Sequence, residues 1–112
     1  MSRTLPQPEV DLSPQARDLK SLGRLIRDRR ARSAVRIDHA AELLGVSKSL
    51  LSRLENGQSV SLDNLFKVLD GLGLTVLLLD HEEAYFALRQ NKKFRQVVRA
   101  ENSQIKKTEK QA

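Results

Sequence analysis

Residues 45–57 read Gly45-Val46-Ser47-Lys48-Ser49-Leu50-Leu51-Ser52-Arg53-Leu54-Glu55-Asn56-Gly57, and their reading decides the fold. Gly45-Val46 breaks one helical pattern. Ser47 is placed to cap the next, its hydroxyl accepting from a first-turn backbone N–H that has no partner inside the helix. Leu50, Leu51 and Leu54 fall on one helix face, while Lys48, Ser49, Ser52 and Arg53 point the other way. Asn56-Gly57 closes the pattern with a glycine suited to positive φ. Upstream, Ala40, Ala41 and Leu44 mark the inward side of a short helix over Ile37–Leu44. Two short helices joined by a tight glycine turn, the second lined with short polar and basic side chains, make a helix-turn-helix. Such outward side chains suit a major groove about 12 Å wide, where hydrogen-bonding groups of varied reach meet base edges.

On the N-terminal side, residues 1–12 hold two of the three prolines and no periodicity, which reads as a flexible arm. Ser13-Pro14 is a helix-start signal, and a helical pattern runs to Arg32 with Leu19, Leu22, Leu25 and Ile26 on one side and the arginines mostly on the other. Starts at Ser13 and nearer Asp18 both fit. On the C-terminal side, Ser61 caps a fourth helix with Leu62, Leu65, Phe66, Leu69 and Leu72 at spacings of three and four, ending at Gly71 and Gly73. The helix-turn-helix domain thus spans residues 13–73.

Residues 74–80, Leu74-Thr75-Val76-Leu77-Leu78-Leu79-Asp80, read as a strand apolar on both faces. No second strand-like segment exists in the sequence. An unpaired strand leaves its N–H and C=O groups unsatisfied, so the expected partner is the same strand of a second copy across a two-fold axis. The alternative, an extension of the fourth helix, must carry Gly71 and Gly73 inside it at about 1 kcal/mol each.

Residues 81–112 form a charged helical extension that opens His81-Glu82-Glu83, with acids in its first turn. Tyr85, Phe86, Leu88, Phe94, Val97 and Val98 read either as a partner-docking or dimer-extending surface or as ordinary packing against the domain. After Ala100 only Ile105 is apolar, which suits a frayed tail.

The 112 residues fit one domain plus tails, and with only 4% aromatics the core must be aliphatic. The absence of cysteine removes disulfides, thiolate catalysis and the usual zinc sites, and fits a reducing, cytoplasmic setting. No apolar run approaches the ~20 residues of a membrane span, and the first residues lack a signal-peptide core. His39 and His81 lie on different elements, Glu82 and Glu83 face different ways, and there is no phosphate loop or metal-ligand spacing. The expectation is a protein with no enzymatic activity, no cofactor and no metal. The net charge of +6 is uneven: residues 1–36 carry nine basic and four acidic groups, residues 37–80 three and six, residues 81–112 eight and four. A basic balance admits nucleic acid, an acidic membrane or an acidic protein as partner.

The sequence resembles the XRE/Cro-repressor-type helix-turn-helix family over about residues 19–73. The matching pieces are Leu22-Gly23, Ile26-Arg27 and Arg30, then Ala41-Glu42-Leu43-Leu44-Gly45-Val46-Ser47, Leu54-Glu55-Asn56-Gly57 and Ser61-Leu62-Asp63-Asn64-Leu65. The strand directly after helix 4, in LGLTVLLLD, is similar to the HipB-type antitoxin branch, in which the strands of two chains pair. The resemblance implies an all-α, lambda-repressor-like bundle of four to five helices, with one C-terminal strand pairing in a two-stranded intermolecular sheet of a homodimer. It implies that Arg30 and Glu55 form a structural salt bridge. It places Lys48, Ser49 and Arg53 at positions that reach base edges, Ser47 and Ser52 near base or phosphate, and Asn56, Gln58 and Ser59 near the sugar-phosphate backbone. Leu74, Thr75, Val76, Leu77, Leu78 and Leu79 correspond to the dimer strand.

Three departures stand out. Arg36-Ile37 replaces the usual Thr/Ser-Gln pair, so the helix cap is lost while Arg36 offers a charge to phosphate, and Asp38 offers a shifted start. Val60 stands where a proline is usual. The recognition unit itself, residues 37–80, is net acidic, which leaves phosphate affinity to Arg24–Arg36 and the 89–99 cluster. These departures bear on affinity more than on fold. Two functions stay open. One is a sequence-specific repressor that binds a palindromic operator in double-stranded DNA and regulates its own promoter, with a toxin kinase as partner in the HipB-type version. The other is an adaptor in which the same fold serves protein interaction.

Overall fold

The computed structural model describes residues 7, 8 and 12–92. The chain divides into two units, Met1–Val76 and Leu77–Ala112. The first contains four helices, α1 (Leu19–Arg32), α2 (Ile37–Leu44), α3 (Lys48–Glu55) and α4 (Leu62–Gly71). In the second, α5 runs over residues 81–92. Helices are the only regular elements among the described residues.

Local chemistry sets where each helix begins. Asp18 and Ser21 form a reciprocal capping box: the Asp18 carboxylate accepts from the Ser21 backbone N–H at 2.8 Å, and the Ser21 hydroxyl oxygen accepts from the Asp18 N–H at 3.0 Å. α1 therefore takes the later of its two candidate starts. The hydrogen bond from the Ser21 N–H is also the main reason that the Asp18 carboxyl is held below its ordinary value of 3.8. Ser47 and Ser61 cap α3 and α4, accepting from Leu50 and Asn64. Asp80 and Glu83 exchange the same pair of bonds at the start of α5, at 2.8 and 3.2 Å. α2 differs. Its N-cap is Arg36, with no side-chain cap bond, and Asp38 sits inside the first turn. The shifted start at Asp38 is not taken, because the backbone is already helical at Ile37.

Helices α1–α4 all stop by one device. A left-handed residue follows the last turn: Ala34 (φ 53°), Gly45 (72°), Gly57 (79°) and Gly73 (73°). The next N–H then turns back to a carbonyl five positions earlier, Val35 to Arg30 at 3.4 Å, Val46 to Ala41 at 3.0 Å, Gln58 to Arg53 at 2.9 Å and Leu74 to Leu69 at 2.8 Å. These are Schellman motifs, and three of the four use the residue that tolerates positive φ without a Cβ clash.

The core is aliphatic, with Ile26, Leu51, Leu54 and Val68 fully enclosed and Ala40, Ala41, Leu44 and Leu69 around them. α3 packs on α1 and α2, and α2 also packs on α4. Where α1 crosses α3 the approach is backbone to backbone: a Cβ built on Gly23 would lie 2.5 Å from the Leu54 carbonyl oxygen and 2.7 Å from that of Glu55. Gly71 of α4 sits equally close against the Leu44 side chain.

The apolar stripes expected on α1 and α4 need correction. Leu19 is exposed, as are Leu62 (70%) and Phe66 (55%), while Val68 is completely buried. α4 meets the core through Leu65 and, more fully, through its second half, Val68, Leu69 and Gly71, while Leu62 and Phe66 lie outside the contact. Leu19 lies one turn before α1 reaches α3.

Residues 74–80 are neither helix nor strand within this one chain. The α4 stop at Gly73 excludes a helix running on through them. Leu74 packs against the core, while Val76, Leu77, Leu78 and Leu79 are exposed, Leu78 at 94%. Most of the N-terminal arm, together with Phe94, Val97, Val98 and Ile105, lies outside the described residues.

Candidate nucleic-acid interface

The outward row of α3 comes from its phase. At 3.6 residues per turn, Lys48, Ser52, Asn56, Ser49 and Arg53 fall within an arc of roughly 140°. Leu51 and Leu54 lie outside that arc and are buried, as is Glu55, whose position borders the row beside Lys48. Lys48, Ser49, Arg53 and Asn56 are exposed, and Ser52 is half-buried.

Four hydrogen bonds fix this row. At the N-terminus the Ser47 hydroxyl accepts from the Leu50 N–H at 3.0 Å, leaving its own O–H to donate outward. At the C-terminus the Asn56 side-chain amide donates to the Ser52 carbonyl at 2.8 Å, so it is turned back along its own helix. Arg53 Nη2 donates to the Ser59 carbonyl at 2.9 Å, and Gln58 N–H donates to the Arg53 carbonyl. Arg53, Asn56, Gln58 and Ser59 thus form one cluster at the end of α3, with the loop tied to the helix from both directions.

Behind the row sits a buried ion pair. Arg30 Nε and Nη2 donate to the two carboxylate oxygens of Glu55, each at 2.7 Å, and Nη1 donates to the Val35 carbonyl at 2.9 Å. The two side chains are 7% and 5% exposed. A bidentate, fully satisfied pair of this kind holds orientation as well as distance. It joins α1 to the last turn of α3 and to the loop leading into α2.

The N-termini of α2 and α3 meet electrostatically. Arg36 Nε lies 3.7 Å from the Asp38 carboxylate, both side chains being about half exposed. The Asp38 carboxyl is held below its ordinary value, first by the His39 backbone N–H and, against opposing desolvation, by the charges of Arg36 and Lys48. Asp38 thus lies within the electrostatic reach of both Arg36 and Lys48.

The arginines of α1 are not a uniform reserve for phosphate. Arg30 is interior, Arg32 pairs with Asp28 at 2.8 Å, and Arg29 Nε donates to the Leu72 carbonyl at 3.0 Å. Arg27 is exposed. The ties made by Arg29 to Leu72 and by Arg53 to Ser59 were not foreseen from sequence. Their one signal was the cationic side chain near a helix end, which suits unpaired carbonyls. Of the apolar segment, Leu74, Thr75 and Val76 belong to the first unit, Leu77, Leu78 and Leu79 to the second.

Among the described residues no group of His, Cys, Asp or Glu is arranged to hold a metal ion, and no helix is long and apolar enough to cross a membrane. A family model described as a helix-turn-helix domain matches residues 21–81, more than half of the chain. A search of curated proteins returns no match. The matched residues take in the glycine turn between α2 and α3 and the exposed row of α3, the two features that define a helix-turn-helix. The chain belongs to the helix-turn-helix domain family, a DNA-binding fold.

Proposed function

We propose that this protein is a sequence-specific repressor that binds a palindromic operator as a homodimer, with α3 of each copy in successive major grooves at least one helical turn, ~34 Å, apart. The observation that carries the reading is the exposed row on α3, seated on a buried, fully bonded Arg30–Glu55 pair. A rigid helix presenting hydrogen-bonding groups of different reach is what base readout needs. In this reading Lys48, Ser49 and Arg53 contact base edges. Ser47 and Ser52 contact base or phosphate, and Arg36, Asn56, Gln58 and Ser59 lie along the backbone. The exposed apolar residues Val76–Leu79, following Leu74 and Thr75, support pairing with the same segment of a second copy. Autoregulation, and neutralisation of a toxin kinase as in the HipB-type branch, are the finer form of the same proposal.

Selection of genomic fragments by the purified full chain at ~150 mM salt tests it. A palindromic motif near its own promoter supports the reading; bound fragments without a motif refute it. The net acidic charge of residues 37–80 favours a second reading, a protein-interaction adaptor. Salt separates the two. A repressor's log K falls by about 0.9 per phosphate contacted for each unit of log[salt], and an adaptor shows no such slope.

A further inference from the structure

α4 ends in a Schellman motif that uses the Leu69 and Asp70 carbonyls, accepting from Leu74 and Gly73. The Leu72 carbonyl is taken by Arg29 Nε of α1 at 3.0 Å, a contact between residues 43 positions apart. The guanidinium also reaches Gly73: a Cβ built there would lie 3.6 Å from Arg29 Nη2. α4 packs chiefly on α2, and this side chain brings α1 to the point where the chain turns out of α4. Gly73 is left-handed, and the next residues are Leu74, held on the core, then exposed Thr75 and Val76. A cation at a helix C-terminus is favoured by the helix dipole, and its hydrogen bond is charge-assisted.

We propose that Arg29 is a positioning residue: it fixes the direction in which residues 74–76 leave the DNA-binding unit, and so sets the half-site spacing that the dimer accepts. The inference rests on the dimeric repressor reading. α1 also carries Arg30, which anchors α3, so one helix holds both the reading helix and the exit of the dimerising segment. Loss of the Arg29 bond leaves α3 seated and leaves the exit held only by the Leu74–Leu69 bond and the packing of Leu74, so that residues 75 and 76 gain freedom.

The test uses the full chain and an operator selected by the wild type, remade with the half-sites moved apart or together by one and two base pairs. Three chains are compared: wild type, Arg29→Met, which keeps the stem and loses the donors, and Arg29→Lys, which keeps the charge without the fork. Binding to an isolated half-site serves as the control for folding and for α3. The wild type is expected to prefer one spacing by tenfold or more. Both variants are expected to bind all spacings within threefold of one another, with unchanged half-site affinity. A wild-type spacing preference retained in Arg29→Met overturns the proposal. So does an equal loss at every spacing and at the half-site with a shallower salt slope in Arg29→Met, which makes Arg29 a phosphate contact. If the wild type selects no palindrome, the repressor reading itself fails, and the inference falls with it.

Discussion

Arg30 and Glu55 meet through two parallel hydrogen bonds of 2.7 Å in the interior, and the remaining arm of the guanidinium closes on the Val35 carbonyl. No polar side-chain atom among the described residues is buried without a partner. Removing one member strands the other as a buried charge. Glu55→Ala is expected to destabilise the domain by about 3–5 kcal/mol, whereas the double change Arg30→Met with Glu55→Leu recovers most of that loss. Urea unfolding with unchanged m-values reads both. A double variant as unstable as the single one contradicts the argument.

Ala34 occupies, at φ 53°, the position that glycine fills in the stops of α2, α3 and α4. Its Cβ opposes the left-handed conformation, and the side chain is exposed, so nothing is lost by removing it. Ala34→Gly is expected to stabilise the protein by about 0.5–1 kcal/mol, net of the added freedom of the unfolded chain. Thermal unfolding checks the sign; a lower midpoint excludes the strain.

The Asp18 cap makes the start of α1 sensitive to acid. Its folded carboxyl lies below the ordinary value of 3.8, so the cap contributes stability above that value and loses it as pH falls through the folded value. Asp18→Asn keeps a capping side chain without a titrating group. The difference in midpoint between wild type and Asp18→Asn is expected to shrink or reverse below about pH 4 and to be constant from about pH 6 to 8. A pH-independent difference across the acid range argues against the cap as its source.

Arg53 holds Ser59 through one Nη2 hydrogen, leaving the second Nη2 hydrogen together with Nε and Nη1 for a partner. In the repressor reading, Arg53→Ala costs about 1–3 kcal/mol against the selected operator and relaxes one base position in each half-site. Arg53→Lys does not restore that position, because an ammonium lacks the fork. Repeating the fragment selection with each variant is the check, and a uniform loss across all sequences places Arg53 on the phosphates instead.

The parts of this fold legible in sequence are those written in neighbouring residues. Ser47, Ser61, Gly45, Gly57 and Gly73 fix helix ends by chemistry within five residues, and α2, α3 and α4 run close to where those signals put them. Periodicity finds a face but not how much of it is covered. Leu62 and Phe66 share a stripe with Leu69, yet only the half of α4 beside Leu44 is enclosed. Arg30 lies in the basic run Arg29-Arg30-Ala31-Arg32, whose local pattern is that of a solvated surface; its place opposite Glu55 was suggested by family resemblance alone. The bonds of Arg29 to Leu72 and of Arg53 to Ser59 depend on how loops close in space, which no repeat in the sequence encodes.

At Gly23 the last turn of α3 rests on the main chain of α1, with no side chain between them. A seat made of backbone does not change when side chains elsewhere are exchanged. Lys48 and Ser49, on the far side of α3, are exposed. They are free to drift during evolution, or to be rewritten by design, while the helix that carries them stays in register. In the repressor reading, a lineage built on this scaffold acquires a new target sequence through a few surface substitutions, while Gly23 and the Arg30–Glu55 pair stand still.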